Sequence, residues 1–219
     1  MLRSCSRLSA VAVIVATGLG VAACGSSSSS SNGSSSNTAA TSDTSSSTSA
    51  TTAYAPASAT VIGKSTGVVV NPAVSAAFKR AGITVTAVAP ATGKTTLLFP
   101  VSAGQIVVAT LVGTVDHTGG LTFSHIGKSV TLTNFVVNTR TKQLTATVGG
   151  QSMPIFDLNL AALKRASGGH RTVVASNIKL TVTSQAATAL NSGLGVSTFK
   201  GGMDFGIATL TVAYARGHR

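Results

Sequence analysis

The sequence predicts an all-β domain, an antiparallel sandwich or barrel-like domain that carries two short helices. Three observations lead to this prediction. Apolar and polar residues alternate in several short segments rich in Val, Ile, Thr and Leu, which is typical of strands with one buried face. Turn signals built from Gly, Asn and Thr separate these segments. Two short segments carry the start and stop signals of helices.

The chain opens with the pattern of a secretory signal peptide. Residues 1–7 carry two cations and no acid, and residues 8–23 are uncharged and mostly apolar. This run is too short, and too diluted by Ser, Thr and Gly, for the roughly 20 apolar residues of a spanning helix. Residues 21–24, Val-Ala-Ala-Cys, resemble the bacterial lipobox, which implies that Cys24 is the diacylated first residue of the mature chain. The alternatives are an ordinary signal peptide with a chance cysteine, or an uncleaved anchor.

Residues 24–59 are predicted to form a lipidated, disordered tether. They are mainly Ser, Thr, Ala, Asn and Gly, so they bury too little apolar surface to offset the entropy of ordering. Such a flexible segment has a typical reach of about 30 Å. We expect it to be a spacer whose reach is enough to lift the following domain through part of a thick cell wall.

Residues 60–219 have the length of one ordinary domain. Both cysteines, Cys5 and Cys24, precede it, so the domain has to fold on its hydrophobic core without a disulfide. The clearest alternating segments, each predicted to be a strand, are residues 83–88, 130–133, 178–182 and 207–212. Turn signals occur at residues 118–120, 126–128, 138–141, 149–150 and 168–169.

The two helices are predicted from their caps. Asn71 is placed to cap the first helix, with Pro72 at its first position and a stop at Gly82. Ser184 is predicted to cap the second helix, which we expect to end at Gly193. Both helices have small apolar faces that suit them to lie across a sheet or to close one end of it.

The chain is strongly basic, with 16 Lys and Arg, four Asp and a formal net charge of +12. Such a charge favours attraction to polyanions such as phospholipid headgroups or an anionic cell-wall polymer. The alternative is that scattered cations keep strand edges soluble. No nucleic acid partner is expected for an exported chain without interleaved aromatic residues. The small groups of cations are Lys79-Arg80, Arg140-Lys142 and Lys164-Arg165-Arg171.

No residue set in the sequence predicts catalysis, and we expect a protein that is not an enzyme. The domain holds three carboxylates, and the side chain of Asp116 is expected to point away from that of its neighbour His117 on a strand. Three Gly-Lys-Ser or Gly-Lys-Thr segments lack the preceding glycine of a phosphate-binding loop and are predicted to be turns. They are residues 63–65, 93–95 and 127–129.

Two histidines form the clearest candidate binding site. His117 and His125 flank a predicted hairpin over residues 118–124, and we expect them to approach each other across it. Two such imidazoles could bind a transition metal or supply an axial haem ligand. The alternative is that they are polar residues at strand ends. His170 and His218 are predicted to be solvated, in a turn and in the C-terminal tail.

Five segments in the second half of the chain share their order and pattern with a known family. They read GTVDHTGGL (113–121), LTNFVV (132–137), LTATV (144–148), IFDL (155–158) and VTSQAATAL (182–190). Together they resemble the HtaA-domain family of actinobacterial surface proteins, over roughly residues 113–212. The resemblance implies a β domain associated with capture of haem at the cell surface.

The chain departs from that family where the family carries its Trp- and Tyr-bearing first segment. It contains no Trp, and Phe78 stands in the corresponding helix, so a tyrosine-ligated haem site does not carry over to that position. The family's hairpin histidine is also displaced in this chain. His117, His125 and Tyr214 remain as the candidate ligand-binding residues of the domain.

The sequence therefore predicts a lipoprotein held on the extracytoplasmic face of the cell membrane by membrane lipid on Cys24. Its domain is expected to be a non-catalytic binding or envelope-interaction domain. The alternative is a haem-binding or haem-relay surface lipoprotein of HtaA type. Haem is the one cofactor that the residues suggest, and no metal site is predicted.

Overall fold

The computed structural model describes residues 58–216. The predicted signal peptide, Cys24, most of the predicted tether and His218 lie outside the described residues. The described part contains eleven strands and two helices: β1 (Ser58–Val70), α1 (Pro72–Arg80), β2 (Thr84–Val88), β3 (Thr96–Val107), β4 (Val112–His117), β5 (Gly120–His125), β6 (Lys128–Asn138), β7 (Gln143–Val148), β8 (Gln151–Asn159), β9 (Lys164–Ser167), β10 (Thr172–Val182), α2 (Ser184–Leu194) and β11 (Asp204–Arg216).

Eight of the strands close into an antiparallel barrel, one of the two predicted architectures. Their order is β6-β4-β3-β1-β11-β10-β8-β7, and the pairing of β7 with β6 closes the ring. Strands β2 and β5 continue the sheet outward from the first half of β6, and β9 pairs with β10 beside the ring. An eight-stranded barrel has an interior that side chains can just fill.

The core lies inside this barrel because the strands alternate as the sequence predicts. In β11, Ala208, Leu210 and Val212 are buried, whereas their neighbours are exposed or half-buried. Side chains of Val115 and Ala146, from the opposite part of the ring, are fully excluded from water. Burial of these apolar side chains, at about 25 cal/mol per Å², supplies the main stabilisation of a domain without disulfides.

The apolar core continues beyond the barrel, where residues from α1, β5 and the segment after α2 meet. The rings of Phe78, Phe123 and Phe199 pack together, with centroid distances of 5.1–6.1 Å. Helix α1 begins as predicted, since the Asn71 side chain accepts a hydrogen bond of 2.9 Å from the Ala73 amide. These three rings, which we call the aromatic cluster, join α1 and the segment that follows α2 to strand β5.

The predicted caps of α2 are each displaced by one or two residues. Thr183, rather than Ser184, caps the helix, because its Oγ1 accepts from the Ala186 amide at 3.0 Å and donates to the Pro154 carbonyl at 2.7 Å. The helix ends at Leu194, where Gly195 adopts the left-handed conformation with φ 68°. Gly193 stays helical.

Strand β1 corrects two expectations. It begins at Ser58, within the segment predicted to be tether, and it contains residues 63–65, which were predicted to be a turn. Those residues instead form an irregularity in the strand, where the pairing with β11 shifts between Val61 and Gly63. Gly63 and Lys64 take φ values of 133° and 104° there. The glycine signal thus marks a bulge inside a strand rather than its end.

The two ends of the barrel are built differently. At the Ser58 end, β1 starts, β11 finishes, and residues 108–111, 139–142 and 160–171 connect neighbouring strands. At the helix end, β1 leads into α1 and β10 leads into α2. None of the helices within residues 58–216 is long and apolar enough to cross a membrane.

Candidate functional site

His117 is a buried histidine inside the barrel, with 5% of its surface exposed. Its Nδ1 lies 3.3 Å from the carbonyl oxygen of Phe135, and its Nε2 lies 2.7 Å from Oγ1 of Thr66. A carbonyl can only accept, so Nδ1 carries the proton and Nε2 accepts from the threonine hydroxyl. Both ring nitrogens are therefore engaged by the protein itself.

Two strands that are not neighbours in the ring bring His117 and Thr66 together. His117 ends β4, where it points inward like Val115 two residues earlier. Thr66 reaches it from β1, which is separated from β4 in the ring by β3. The sequence does not single out Thr66, because the contact spans 51 residues and no local pattern distinguishes this threonine from its neighbours.

The surroundings keep His117 neutral. Burial away from water lowers the pKa of His117 from its ordinary value of 6.5. The Phe135 carbonyl and the carboxylate of Asp116 oppose this effect to a smaller extent. A neutral, doubly hydrogen-bonded imidazole is held rigidly, and it has no lone pair to offer to a metal while Thr66 is in place.

The barrel interior leaves little free space around the pair. One cavity of about 40 Å³ adjoins His117 and Thr66, and a second of about 60 Å³ lies toward the Ser58 end. Ile178 and Leu210 line both cavities. Sites for small molecules usually measure about 300–1,000 Å³. The interior is therefore a packed core that does not accommodate a group as large as haem.

His125 has a different environment at the tip of the β5–β6 hairpin. It is half-buried, and its Nδ1 lies 3.3 Å from the carbonyl oxygen of Leu194, the last residue of α2. Because that carbonyl accepts, Nδ1 carries the proton and Nε2 keeps its lone pair. Gly82, which follows α1, faces the other edge of the ring, where an added Cβ would lie 3.7 Å from Cδ2 of His125. Histidine ligands of metals commonly have this tautomer, with the distal nitrogen donating to a carbonyl.

His117 and His125 do not approach each other, which corrects the predicted hairpin over residues 118–124. Strand β4 pairs with β3 and β6, whereas β5 pairs with β2 and β6. Strand β5 places His125 about 16 Å along the chain from Gly120. Gly119 makes the corner between β4 and β5 with φ 87°, and a Cβ there would lie 2.5 Å from the Ala91 amide nitrogen.

Tyr214, the third predicted ligand-binding residue, lies in a third place. It is half-buried near the end of β11, opposite Val61 of β1, and its amide donates to the Arg171 carbonyl at 3.0 Å. This position belongs to the Ser58 end, whereas His125 belongs to the helix end. The three predicted residues therefore do not share one site.

The carboxylates are also dispersed. Asp116 points away from His117 and is half-exposed, as the strand alternation predicts. Asp157 is exposed beside Gln143, and Asp204 forms a 3.0 Å ion pair with Lys179. Within residues 58–216 no three His, Cys, Asp or Glu side chains gather as metal ligands would. The described residues hold no acid–base pair placed for catalysis.

Phe78 occupies the helix position at which the family resemblance expects a haem-binding tyrosine. Its side chain is 3% exposed and lies in the aromatic cluster with Phe123 and Phe199. A phenyl ring in an apolar cluster offers no oxygen or nitrogen to iron. This side chain stabilises the attachment of α1 to the sheet.

Comparison with known proteins identifies the architecture. No family model matches the chain, and no curated protein matches its sequence. A solved structure, the C-terminal domain of HtaA from Corynebacterium glutamicum, superimposes with a TM-score of 0.53 at 15% identity, covering 72% of this chain and 99% of that domain. The described domain has an HtaA-like fold. The haem-binding protein HtaB of the same organism gives a TM-score of 0.41 at 11% identity, covering 72% and 95% of the two chains.

The HtaA-like fold confirms the resemblance drawn from the five sequence segments. At 15% identity the likeness concerns the arrangement of the chain. The chemistry of any ligand has to come from residues of this chain. Among the predicted ligand-binding residues, His125 combines partial exposure with a nitrogen lone pair that the hydrogen bond to Leu194 leaves free.

Proposed function

We propose that this protein is a surface lipoprotein whose HtaA-like barrel binds a partner on its outer surface and catalyses no reaction. The packed interior is the observation that carries this proposal. Its two cavities measure about 40 and 60 Å³, and its buried histidine is already hydrogen-bonded to Thr66 and Phe135. We therefore expect the partner to bind to the outer surface of the barrel, because the interior has no room for it. Cations far outnumber carboxylates in the chain.

The anchor is the second part of the proposal. Diacylated Cys24 would hold the protein on the extracytoplasmic face of the cell membrane, since two acyl chains give stable attachment where a single chain gives only marginal binding. The segment between Cys24 and Ser58 would then act as the tether. Anionic polymers of the envelope, or the membrane itself, are the partners that the net positive charge favours.

Membrane fractionation of cells that express the full chain tests the anchor. A Cys24→Ala variant is expected to leave the membrane fraction, whereas the parent and a Cys5→Ala control stay in it. The control matters because Cys5 is the other cysteine of the chain. Retention of the Cys24→Ala variant at the level of the parent would show that acylation at this residue does not hold the protein.

Haem is the second candidate ligand, and the geometry of His125 favours it. The Nδ1 bond to the Leu194 carbonyl orients the ring, and in the neutral imidazole the lone pair is then on Nε2. The residue lies between the ends of α1 and α2, and Phe123 of the aromatic cluster lies two residues before it on β5. A haem at this place would lie against the outside of the domain rather than within the barrel.

Haem titration separates the two candidates. The chain from Gly25 onward is titrated with haem and the Soret absorbance is recorded, together with His125→Ala and His170→Ala variants. His170 is an exposed histidine in a turn and serves as the control. Saturable binding that His125→Ala abolishes and His170→Ala preserves supports the haem candidate. If micromolar haem causes no spectral change, the haem candidate is rejected and the anionic envelope partner is retained.

A further inference from the structure

Cations that are separated in the sequence gather at the Ser58 end of the barrel. Arg140 and Lys142 lie in the β6–β7 turn, Lys164 and Arg165 lie on β9, and Arg171 lies in the turn before β10. All five side chains are exposed. We call these five residues the basic rim.

Hydrogen bonds hold the segments of the basic rim against the same end of the barrel. The Arg165 guanidinium donates to the Ala109 carbonyl at 3.1 Å, which holds β9 beside the β3–β4 turn. The carbonyl of Arg171 accepts from the Tyr214 amide at 3.0 Å, close to the end of β11. The carbonyl of Lys142 accepts from the Leu158 amide at 2.8 Å. The rim is therefore a property of the fold and not of one sequence run.

One carboxylate lies among these cations. Asp157 is exposed on β8, lines a shallow surface hollow with Lys142, and accepts a long bond of 3.5 Å from Gln143. Within the described residues the rim thus keeps an excess of four positive charges. Charge alone does not single out this end, because exposed cations also occur at the helix end: Lys79, Arg80, Lys94, Lys128 and Lys200.

The point at which the chain joins the barrel distinguishes the two ends. Strand β1 starts at Ser58 beside the basic rim, and 33 residues separate it from Cys24. A tether that joins the barrel to the membrane raises the effective concentration of the membrane surface at the end of the barrel where the tether begins. To present the helix end to the anchoring surface, the tether would also have to pass along the barrel, a distance of about 40 Å for a strand as long as β1.

From this arrangement we infer that the basic rim docks the tethered barrel onto anionic phospholipid headgroups of the membrane that carries the anchor. The inference rests on the proposed lipid anchor at Cys24. Each Lys or Arg near an anionic membrane surface strengthens binding about five-fold. Docking would leave the helix end, with His125 and the exposed tip of the β5–β6 hairpin, facing away from the membrane.

Chemical footprinting of the tethered chain tests this orientation. In the chain from Cys24 onward this residue is the one cysteine, so its thiol can be coupled to a maleimide lipid in vesicles of pure phosphatidylcholine or with 30% phosphatidylglycerol. Lysines are then acetylated briefly and quantified by mass spectrometry. Lys142 and Lys164 report on the rim, and Lys94 and Lys128 report on the helix end. This coupling does not depend on acylation in the cell, so failure of the anchor and failure of the docking are distinguishable.

We expect Lys142 and Lys164 to react at least five-fold more slowly on the anionic vesicles, and Lys94 and Lys128 to react equally on both. Protection should disappear in 1 M salt, where screening reaches about 3 Å. The triple variant Arg140→Gln, Lys142→Gln, Arg171→Gln should lose the protection of Lys164. The matched variant Lys94→Gln, Lys128→Gln, Lys200→Gln should keep it.

Three results would overturn the inference. Equal protection of both ends, or protection of neither, would mean that the rim does not orient the barrel on lipid. Protection of the rim by soluble polyglycerol phosphate on neutral vesicles, with none on anionic vesicles, would assign the rim to a wall polymer instead of the membrane.

Discussion

The Thr66–His117 pair offers a direct test of what stabilises the interior of the barrel. Replacing Thr66 with Val keeps the shape of the side chain and removes the hydroxyl that donates to Nε2 of His117 at 2.7 Å. The imidazole then keeps its bond to Phe135 but has a buried acceptor without a donor. His117→Leu is the complementary change, which leaves the threonine hydroxyl without its acceptor.

The expected magnitude follows from this geometry. A buried polar group left without a partner destabilises a protein by about 1–3 kcal/mol. Thr66→Val should therefore lower the free energy of unfolding by about 1–3 kcal/mol, and His117→Leu by a similar amount. Removing both partners orphans neither the hydroxyl nor Nε2, and the double variant lacks only the donor to the Phe135 carbonyl. It should therefore be more stable than the sum predicts, by about 1–2 kcal/mol.

Urea unfolding at pH 7.5 measures these differences, provided that the slope of free energy against urea concentration stays constant among the variants. Thr122→Val is a suitable control. Its Oγ1 also pairs with a threonine, Thr131, at 2.9 Å, but this pair lies on an exposed surface. Its loss should change the stability by less than about 0.5 kcal/mol.

Two outcomes would refute the reasoning. If Thr66→Val were as stable as the parent, the hydroxyl would not be needed by the buried imidazole. If the double variant lost the full sum of the two single effects, the residues would act independently. Either result would remove the buried pair as a stabilising element of the barrel.

Because His117 is buried, we expect the stability of the domain to depend on pH. Burial lowers the pKa of His117 below 6.5 in the folded state, so between the two pKa values the unfolded chain binds more protons than the folded one. The contribution of neutral His117 is complete above the unfolded pKa of about 6.5. It is lost as the pH falls from there through the folded pKa. The unfolding midpoint of the parent should decline over this range, and His117→Leu should flatten the decline.

Three further predictions concern the corner between β4 and β5, the aromatic cluster and the tip of the β5–β6 hairpin. Gly119→Ala should destabilise the domain by at least about 2 kcal/mol more than Gly127→Ala, since both need a positive φ but only the first meets the backbone of Ala91; equal thermal midpoints would contradict this. Phe199→Ala should cost about 3–5 kcal/mol, because the ring is 2% exposed in the aromatic cluster. Ile126→Ala, at an 85% exposed side chain, should change the denaturation midpoint little, and a large effect would reveal a contact of the hairpin tip.

The parts of the fold that were predicted correctly depend on neighbours in sequence. The alternation in residues 207–212 became the buried and exposed faces of β11, and Asn71 with Pro72 defined the start of α1. These signals act through side-chain direction and through hydrogen bonds within one turn. A glycine signal is ambiguous, because glycine occurs both in turns and in bulges. The prediction of a turn at residues 63–65 is therefore wrong, since Gly63 lies at a bulge within β1.

The candidate site was less predictable. Adjacency in the sequence suggested that His117 and His125 meet across a hairpin. Strand β6, however, lies between β4 and β5 in the sheet and pairs with both. Which strands become neighbours depends on long-range pairing that a single segment does not encode. The corner at Gly119 sends the two histidines to different parts of the molecule.

The sequence by itself determined the strand and helix segments, the absence of cysteine from the domain, the excess of positive charge and the separation of Asp116 from His117. These features follow from composition and from periodicities of two and 3.6 residues. Only the tertiary structure decided that the sheet closes through β6 and β7, that Thr66 satisfies His117, and that the dispersed cations form one rim. Each of these depends on contacts between distant segments, and their geometry is set by the packing of the whole barrel.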